Sequence, residues 1–245
     1  MKPFFILGAP RSGTTMLRDI FKQIEDYYSP EETHFFRWSA PYRGFEFGRY
    51  YQNNPVLKKH RQIDGISDER FFELYESCNT KAEFTDAYCT EVAKKKGAVS
   101  WFEKTPQNVY GLPMIIDQFP EAKVVHLVRH PLSVAKSLMA GKVMKPQSFV
   151  GALNYWREAV ATVNVLKPVM GNQLIEIRYE DIQSDPAGAM ERLVKEVIEK
   201  PVDQLNLNHV KTKIDIPYAD FLDEQIDLAI QVLGQYPSHY GYELK

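Results

Sequence analysis

The sequence predicts an α/β protein in three layers, a central parallel sheet of about four to five strands with helices on both faces. Two observations carry this. Four short apolar runs, 3–8, 98–102, 123–128 and 173–178, are continuous rather than alternating, the pattern of strands buried on both faces. Helical patterns separate them, and strands that alternate with helices build a parallel sheet through crossover connections. A length of 245 residues with 44% hydrophobic content fits one domain over 1–245.

The first run, Phe4–Leu7, leads into Gly8-Ala9-Pro10-Arg11-Ser12-Gly13-Thr14-Thr15 and then a helical face of Met16, Leu17, Ile20, Phe21 and Ile24. Strand, glycine loop and helix together bind phosphate, because N–H groups at the helix start point at the anion and the helix dipole favours it. Gly8 and Gly13 have the spacing of G-x-x-x-x-G-K-[ST], so the fold is P-loop-like. Thr14 stands where the lysine belongs, which argues against an ordinary ATPase or kinase. Arg11 can supply the cation, its planar fork matching phosphate.

Residues 29–66 are rich in Tyr, Phe, Arg, Pro and Gly and weakly periodic. So long an irregular stretch in a compact domain predicts the wall or lid of the substrate site. Its aromatics, Phe35, Phe36, Trp38, Tyr42, Phe45, Phe47, Tyr50 and Tyr51, either line a pocket or pack the lid onto the domain. Arg37, Arg43 and Arg49 would attract an acidic acceptor.

The second run is followed by Glu103-Lys104-Thr105-Pro106, and the third by Arg129-His130-Pro131. Pro131 suits the first position of a helix whose apolar face is Val134, Ala135, Leu138 and Met139. Ser137 lies two turns into it. Residues 148–167 form the clearest helix, with Phe149, Leu153, Trp156, Val160 and Val163 in register. The fourth run ends in Arg178-Tyr179-Glu180-Asp181. Ligands of such sheets bind at the carboxyl ends of the strands. Two cationic, hydroxyl-bearing strand ends therefore suit a ligand with two separated phosphates.

On these motifs the chain resembles sulfotransferases that use 3′-phosphoadenosine-5′-phosphosulfate (PAPS). Arg11-Ser12-Gly13-Thr14-Thr15 resembles the family's R-[SK]-G-T-T loop, which holds the 5′-phosphosulfate. Arg129-His130-Pro131 through Ser137 resembles its R-x-P-x-x-x-x-x-S pattern for the 3′-phosphate. Tyr179-Glu180-Asp181 resembles a Y-E-D segment whose tyrosine lies near the adenine. The resemblance runs over roughly 3–200 and implies in-line sulfuryl transfer from PAPS to an acceptor hydroxyl, leaving PAP and requiring no metal. Lys104 falls on the family lysine that contacts the leaving phosphate. Pro106 occupies the place of the histidine base of cytosolic members. The base then falls to Glu31-Glu32-Thr33-His34, similar to the G-E-E-T-R segment of tyrosylprotein sulfotransferases, where the second glutamate, here Glu32, is the implied base. His34 replaces that motif's arginine and is an alternative base. The implied catalytic set is Glu32, Lys104 and Arg11. The implied cofactor set is Arg11, Ser12, Gly13, Thr14, Thr15, Arg129, Ser137 and Tyr179.

Two other readings fit parts of the sequence: a nucleotide kinase or NTPase, from the loop spacing alone, and a nucleotide-binding module without catalysis. Net charge is −2 with no basic stripe, which excludes a nucleic-acid binder. Six scattered histidines lack metal-ligand spacing. Cys78 and Cys89 are expected as buried thiols. No apolar run reaches the ~18 residues of a membrane span, and the first strand leaves no room for a signal peptide. The expectation is a cytoplasmic enzyme whose acceptor is a small-molecule, lipid, glycan or peptide hydroxyl. The sequence leaves open the acceptor itself, the oligomeric state and the place of 201–219.

Overall fold

The computed structural model describes residues 1–38, 40–142, 144–199, 205–214 and 216–244. Five parallel strands form one sheet: β1 (Phe4–Gly8), β2 (Tyr27–Tyr28), β3 (Ser100–Lys104), β4 (Lys123–Val128) and β5 (Leu174–Arg178), in the order β2-β3-β1-β4-β5. The helices are α1 (Thr14–Phe21), α2 (Phe45–Asn53), α3 (Pro55–Ile63), α4 (Asp68–Ser77), α5 (Lys81–Lys95), α6 (Leu112–Gln118), α7 (Pro131–Met139), α8 (Phe149–Met170), α9 (Tyr179–Ser184), α10 (Pro186–Ile198) and α11 (Asp223–Leu233).

Alternation along β1 divides the core. Phe4 and Ile6 face a cluster with Leu17, Ile20 and Phe21 of α1 and Leu193 of α10. Phe5 and Leu7 face the larger cluster with Val134 of α7, Trp156 and Val160 of α8 and Leu233 of α11. Both faces are covered, which is why the strands read as continuous apolar runs. The chain builds leftward from β1 to β2 and β3, then crosses to build β4 and β5. The crevice at the carboxyl ends beside β1 is therefore the topological switch point.

Two expectations shift. The strand expected over 98–102 runs Ser100–Lys104. The Ser100 N–H donates to the Asp26 carbonyl at 2.8 Å, the bond that opens its parallel pairing with β2, so the strand begins at Ser100 rather than Ala98. β3 pairs with β1 as Phe4↔Phe102 and Ile6↔Lys104, which places Lys104 on the strand's last position. The two-residue edge strand β2 carries no alternation that a sequence pattern could reveal.

Residues 29–66 are more regular than their periodicity suggests, since they contain α2 and α3. In α2, aromatics on several faces hide the helical period. Phe35, Phe36, Phe47 and Tyr51 are buried in the core, so these four pack the segment onto the domain, while Phe45 is exposed. Cys78 and Cys89 are buried free thiols. Of the stretch 201–219, residues 201–204 and 215 lie outside the described residues. The Lys211 and Lys213 carbonyls accept from the Gln183 amide at 2.8 and 2.9 Å. No helix among the described residues is long and apolar enough to cross a membrane.

Candidate active site

The loop after β1 owes its shape to backbone chemistry. A Cβ on Gly8 would lie 2.5 Å from the Leu127 carbonyl oxygen, so only glycine lets β1 end against β4. Gly13 caps α1 at φ 101°, and a Cβ there would lie 2.5 Å from the Tyr179 ring. Arg11 has φ 73°, a left-handed conformation costly for a side chain with a Cβ. Successive turns of this kind gather N–H groups into an anion cradle. Ser12 is wholly buried at the centre of the loop, and its hydroxyl has no partner.

The second strand end meets this loop. Arg11 Nε donates to Ser137 Oγ at 3.0 Å, and Arg129 Nη1 donates to the Arg11 carbonyl at 3.4 Å. The Trp156 indole donates to the Arg129 carbonyl at 2.8 Å. A cleft of about 540 Å³ opens here, lined by Arg11, Gly13, Thr14, Thr15, Arg129 and Ser137, and also by Glu32, Pro106, Gln107 and Lys142. Tyr179 is absent from that lining. Its ring lies buried against Gly13 and under the Arg129 guanidinium, 4.6 Å from the ring centroid. The residue expected near the adenine is thus a platform for Arg129.

Lys104, at the end of β3, is hydrogen-bonded to Glu32 and lies 3.4 Å from Thr15 Oγ1. The ammonium is 1% exposed and the Glu32 side chain 29%, so the carboxylate forms the cleft wall with the lysine behind it. Glu31 turns away: it pairs with Arg18 at 3.3 Å, and its N–H donates to Asp64 at 2.9 Å. Two adjacent carboxylates that look alike in sequence are thereby separated.

Glu103 holds the Glu32 segment in place. Wholly buried, its carboxylate accepts from Thr33 Oγ1 at 2.9 Å, from the Asn108 amide at 2.9 Å and from the Thr105 hydroxyl. Asn108 in turn accepts the Phe36 N–H at 3.1 Å. His60, on α3, donates from Nδ1 to the Glu32 carbonyl at 2.9 Å.

Burial works to raise the Glu32 carboxyl, but Lys104, with His34 and His60, holds it below the ordinary carboxylate range. Burial pushes the His34 imidazole down to about 4, against the pull of Glu32. His34 is therefore neutral near pH 7, and its 3.6 Å approach to Glu32 is not an ion pair there. Its backbone is left-handed, with φ 56°.

Sequence reasoning missed Gln107, whose buried amide oxygen has no partner while the residue lines the cleft. It missed Lys142 on the same lining and Glu103 behind it. Lys142 follows Gly141 in a loop without periodicity, and the run Gln107-Asn108 carries no local signal. Among the described residues, no group of three His, Cys, Asp or Glu is placed to hold a metal ion.

The model of the sulfotransferase family matches residues 3–197. A protein-tyrosine sulfotransferase of Drosophila melanogaster is 23% identical over 85% of this chain and 40% of its own length. The first curated relatives are all longer proteins, of which the chain spans 30%, 40% and 27%. The sulfotransferase domain of the Synechococcus PCC 7002 olefin synthase superposes with a TM-score of 0.68 at 19% identity, covering 100% of this chain and 96% of that one. Mouse sulfotransferase SULT7A1, solved in complex with PAP, superposes with a TM-score of 0.53 at 13% identity, covering 97% of this chain and 85% of that one. With the glycine loop, the paired arginines and this match over most of its length, the chain belongs to the sulfotransferase family.

Proposed function

We propose that this chain transfers the sulfuryl group of PAPS to an acceptor hydroxyl, with Glu32 as general base. The observation that carries the reading is the meeting of Glu32, backed by Lys104, with Arg11, Arg129 and Ser137 in one cleft at the carboxyl ends of β3, β1 and β4. The orphaned hydroxyl of Ser12 and the left-handed backbone at Arg11 and Gly13 suit a phosphate cradled by the loop. The PAP complex of the mouse enzyme, a protein of the same fold, supports the same donor.

PAPS supplies an electrophilic sulfur joined through a bridging oxygen to a 5′-phosphate leaving group. Arg11 and the N–H groups of residues 12–15 hold the phosphosulfate, and Arg129 with Ser137 holds the 3′-phosphate. Glu32 accepts the proton of the acceptor hydroxyl as its oxygen bonds to sulfur. The bridging S–O bond breaks, its electron pair leaves on the 5′-phosphate, and Lys104 neutralises the charge that develops there. The Lys104 ammonium has three N–H donors, and its contacts with Glu32 and Thr15 leave one for that oxygen. Glu32 is favoured over His34 because it lines the cleft, which His34 does not.

The test is PAP release from PAPS with a panel of phenols, aliphatic alcohols and tyrosyl peptides. Wild type should release PAP only with a matching hydroxyl, and Lys104→Ala should lose that release. Acceptor-dependent release that survives Lys104→Ala unchanged would refute the assignment.

A further inference from the structure

Behind the corner where β4 enters α7, three buried residues outside the cleft join in one chain of hydrogen bonds: His130 through its backbone N–H, and Glu180 and Tyr242 through their side chains. His130 directly follows Arg129 and caps α7. Its Nδ1 accepts the Leu132 N–H at 3.3 Å, so Nε2 carries the ring proton and donates to the Glu243 carbonyl at 3.2 Å. Glu180 directly follows Tyr179. One of its carboxylate oxygens accepts the His130 N–H at 2.9 Å and the other accepts the Tyr242 hydroxyl at 2.6 Å. His130, Glu180 and Tyr242 are 0%, 8% and 6% exposed, so each bond forms away from competing water. Arg178 adds a fourth tie, donating to the Tyr240 carbonyl at 3.1 Å.

The segment around Tyr240–Glu243 thus closes over two corners of the sheet at once. Each corner presents one member of the stacked Arg129–Tyr179 pair to the other side. A carboxylate with both oxygens engaged, one on backbone and one on a buried phenol, has little freedom to rotate. It fixes the peptide that begins immediately after Arg129.

We propose that Glu180 and Tyr242 are positioning residues for the 3′-phosphate: the Tyr242–Glu180–His130 chain sets the aim of the Arg129 guanidinium. This rests on Arg129 being the 3′-phosphate ligand. A positioning role of this kind predicts a loss confined to that phosphate, which general loosening of the fold does not.

The experiment is calorimetric titration of wild type, Tyr242→Phe, Glu180→Gln and Tyr240→Phe with PAP and with 5′-AMP, which lacks the 3′-phosphate. The ratio of the two Kd values reads the 3′-phosphate alone. Tyr242→Phe keeps the ring and removes the hydroxyl, and the ratio should contract about fivefold, the worth of roughly one hydrogen bond, with AMP affinity unchanged. Glu180→Gln, whose amide oxygen still accepts one donor, should contract it in the same direction. Tyr240→Phe removes a hydroxyl from the same segment, one that binds Glu176 at 2.7 Å, and should keep the wild-type ratio. If wild type does not prefer PAP over AMP, the two-phosphate reading itself fails and the positioning role with it. If wild type prefers PAP but Tyr242→Phe keeps the full ratio, or loses PAP and AMP affinity equally, only the positioning role is overturned.

Discussion

Arg11 through Thr15 are contiguous and hold their geometry through their own backbone, whereas Glu32 reaches the same cleft through Glu103, whose partner Thr33 lies 70 residues away. The donor side is built from two short motifs at two strand ends, joined by the Arg11–Ser137 and Arg129–Arg11 contacts. The acceptor side is a long segment fastened from beneath by buried Glu103, Asn108 and Asp64 and by half-buried His60. The donor half can therefore be damaged locally, while the acceptor half fails when a distant anchor is removed.

The largest expected effect lies where the halves touch. Glu32→Gln should lower kcat by about 10²–10⁴-fold, the usual worth of a positioned base, while PAP affinity stays near wild type. Equal losses in kcat and PAP affinity would mean that Glu32 supports the donor loop instead. Next comes Gly13→Ala, confined to the donor half. Strain at φ 101° and the overlap with Tyr179 should weaken PAP by about 10–100-fold. Titration calorimetry reads this directly, and unchanged affinity would show that the loop tolerates a Cβ there.

Glu103→Gln breaks the acceptor half from a distance. It turns an acceptor of three side-chain donors into a group that also donates, and should cost about 2–3 kcal/mol in denaturant unfolding. It should lower kcat more than PAP affinity. A loss of affinity larger than the loss of kcat would contradict the division into halves.

Acid should separate the two halves by sign. Burial alone would raise Glu176 of β5, but bonds from His126, Lys167 and Tyr240 bring it from 4.5 to about 2. Its stabilisation, on the order of 3 kcal/mol, is whole above pH 4.5 and is lost as pH falls toward 2. Glu103 is shifted upward, burial outweighing its donors Thr105, Thr33 and Asn108, so its protonation favours the folded state as pH falls. Amide protection in β5 and α8, corrected for the intrinsic pH dependence of exchange, should fall between pH 4.5 and pH 2 before that in β3. The reverse order would contradict both directions.

Legibility in the sequence follows the same division. Arg11-Ser12-Gly13-Thr14-Thr15 and Arg129 through Ser137 could be read because spacing within one motif fixes one loop and one helix start. The sheet could be read because Phe4–Leu7 and Val124–Val128 are buried on both faces. The extent of β3 could not, since its first residue is set by pairing of Ser100 with the short edge strand β2, which has no pattern of its own. Helix α2 was hidden by aromatics that serve the core and the surface alike. Glu103, Gln107 and the platform role of Tyr179 depend on contacts between distant strand ends, for which one sequence carries no local signal.

The central claim is a metal-independent site for two separated phosphates. Calorimetric titration with PAP in the presence of a chelator, on wild type and on Arg129→Ala, tests it most directly. The account predicts tight binding to wild type that Arg129→Ala abolishes or weakens by at least tenfold. No binding to wild type, or equal binding to both proteins, would contradict it.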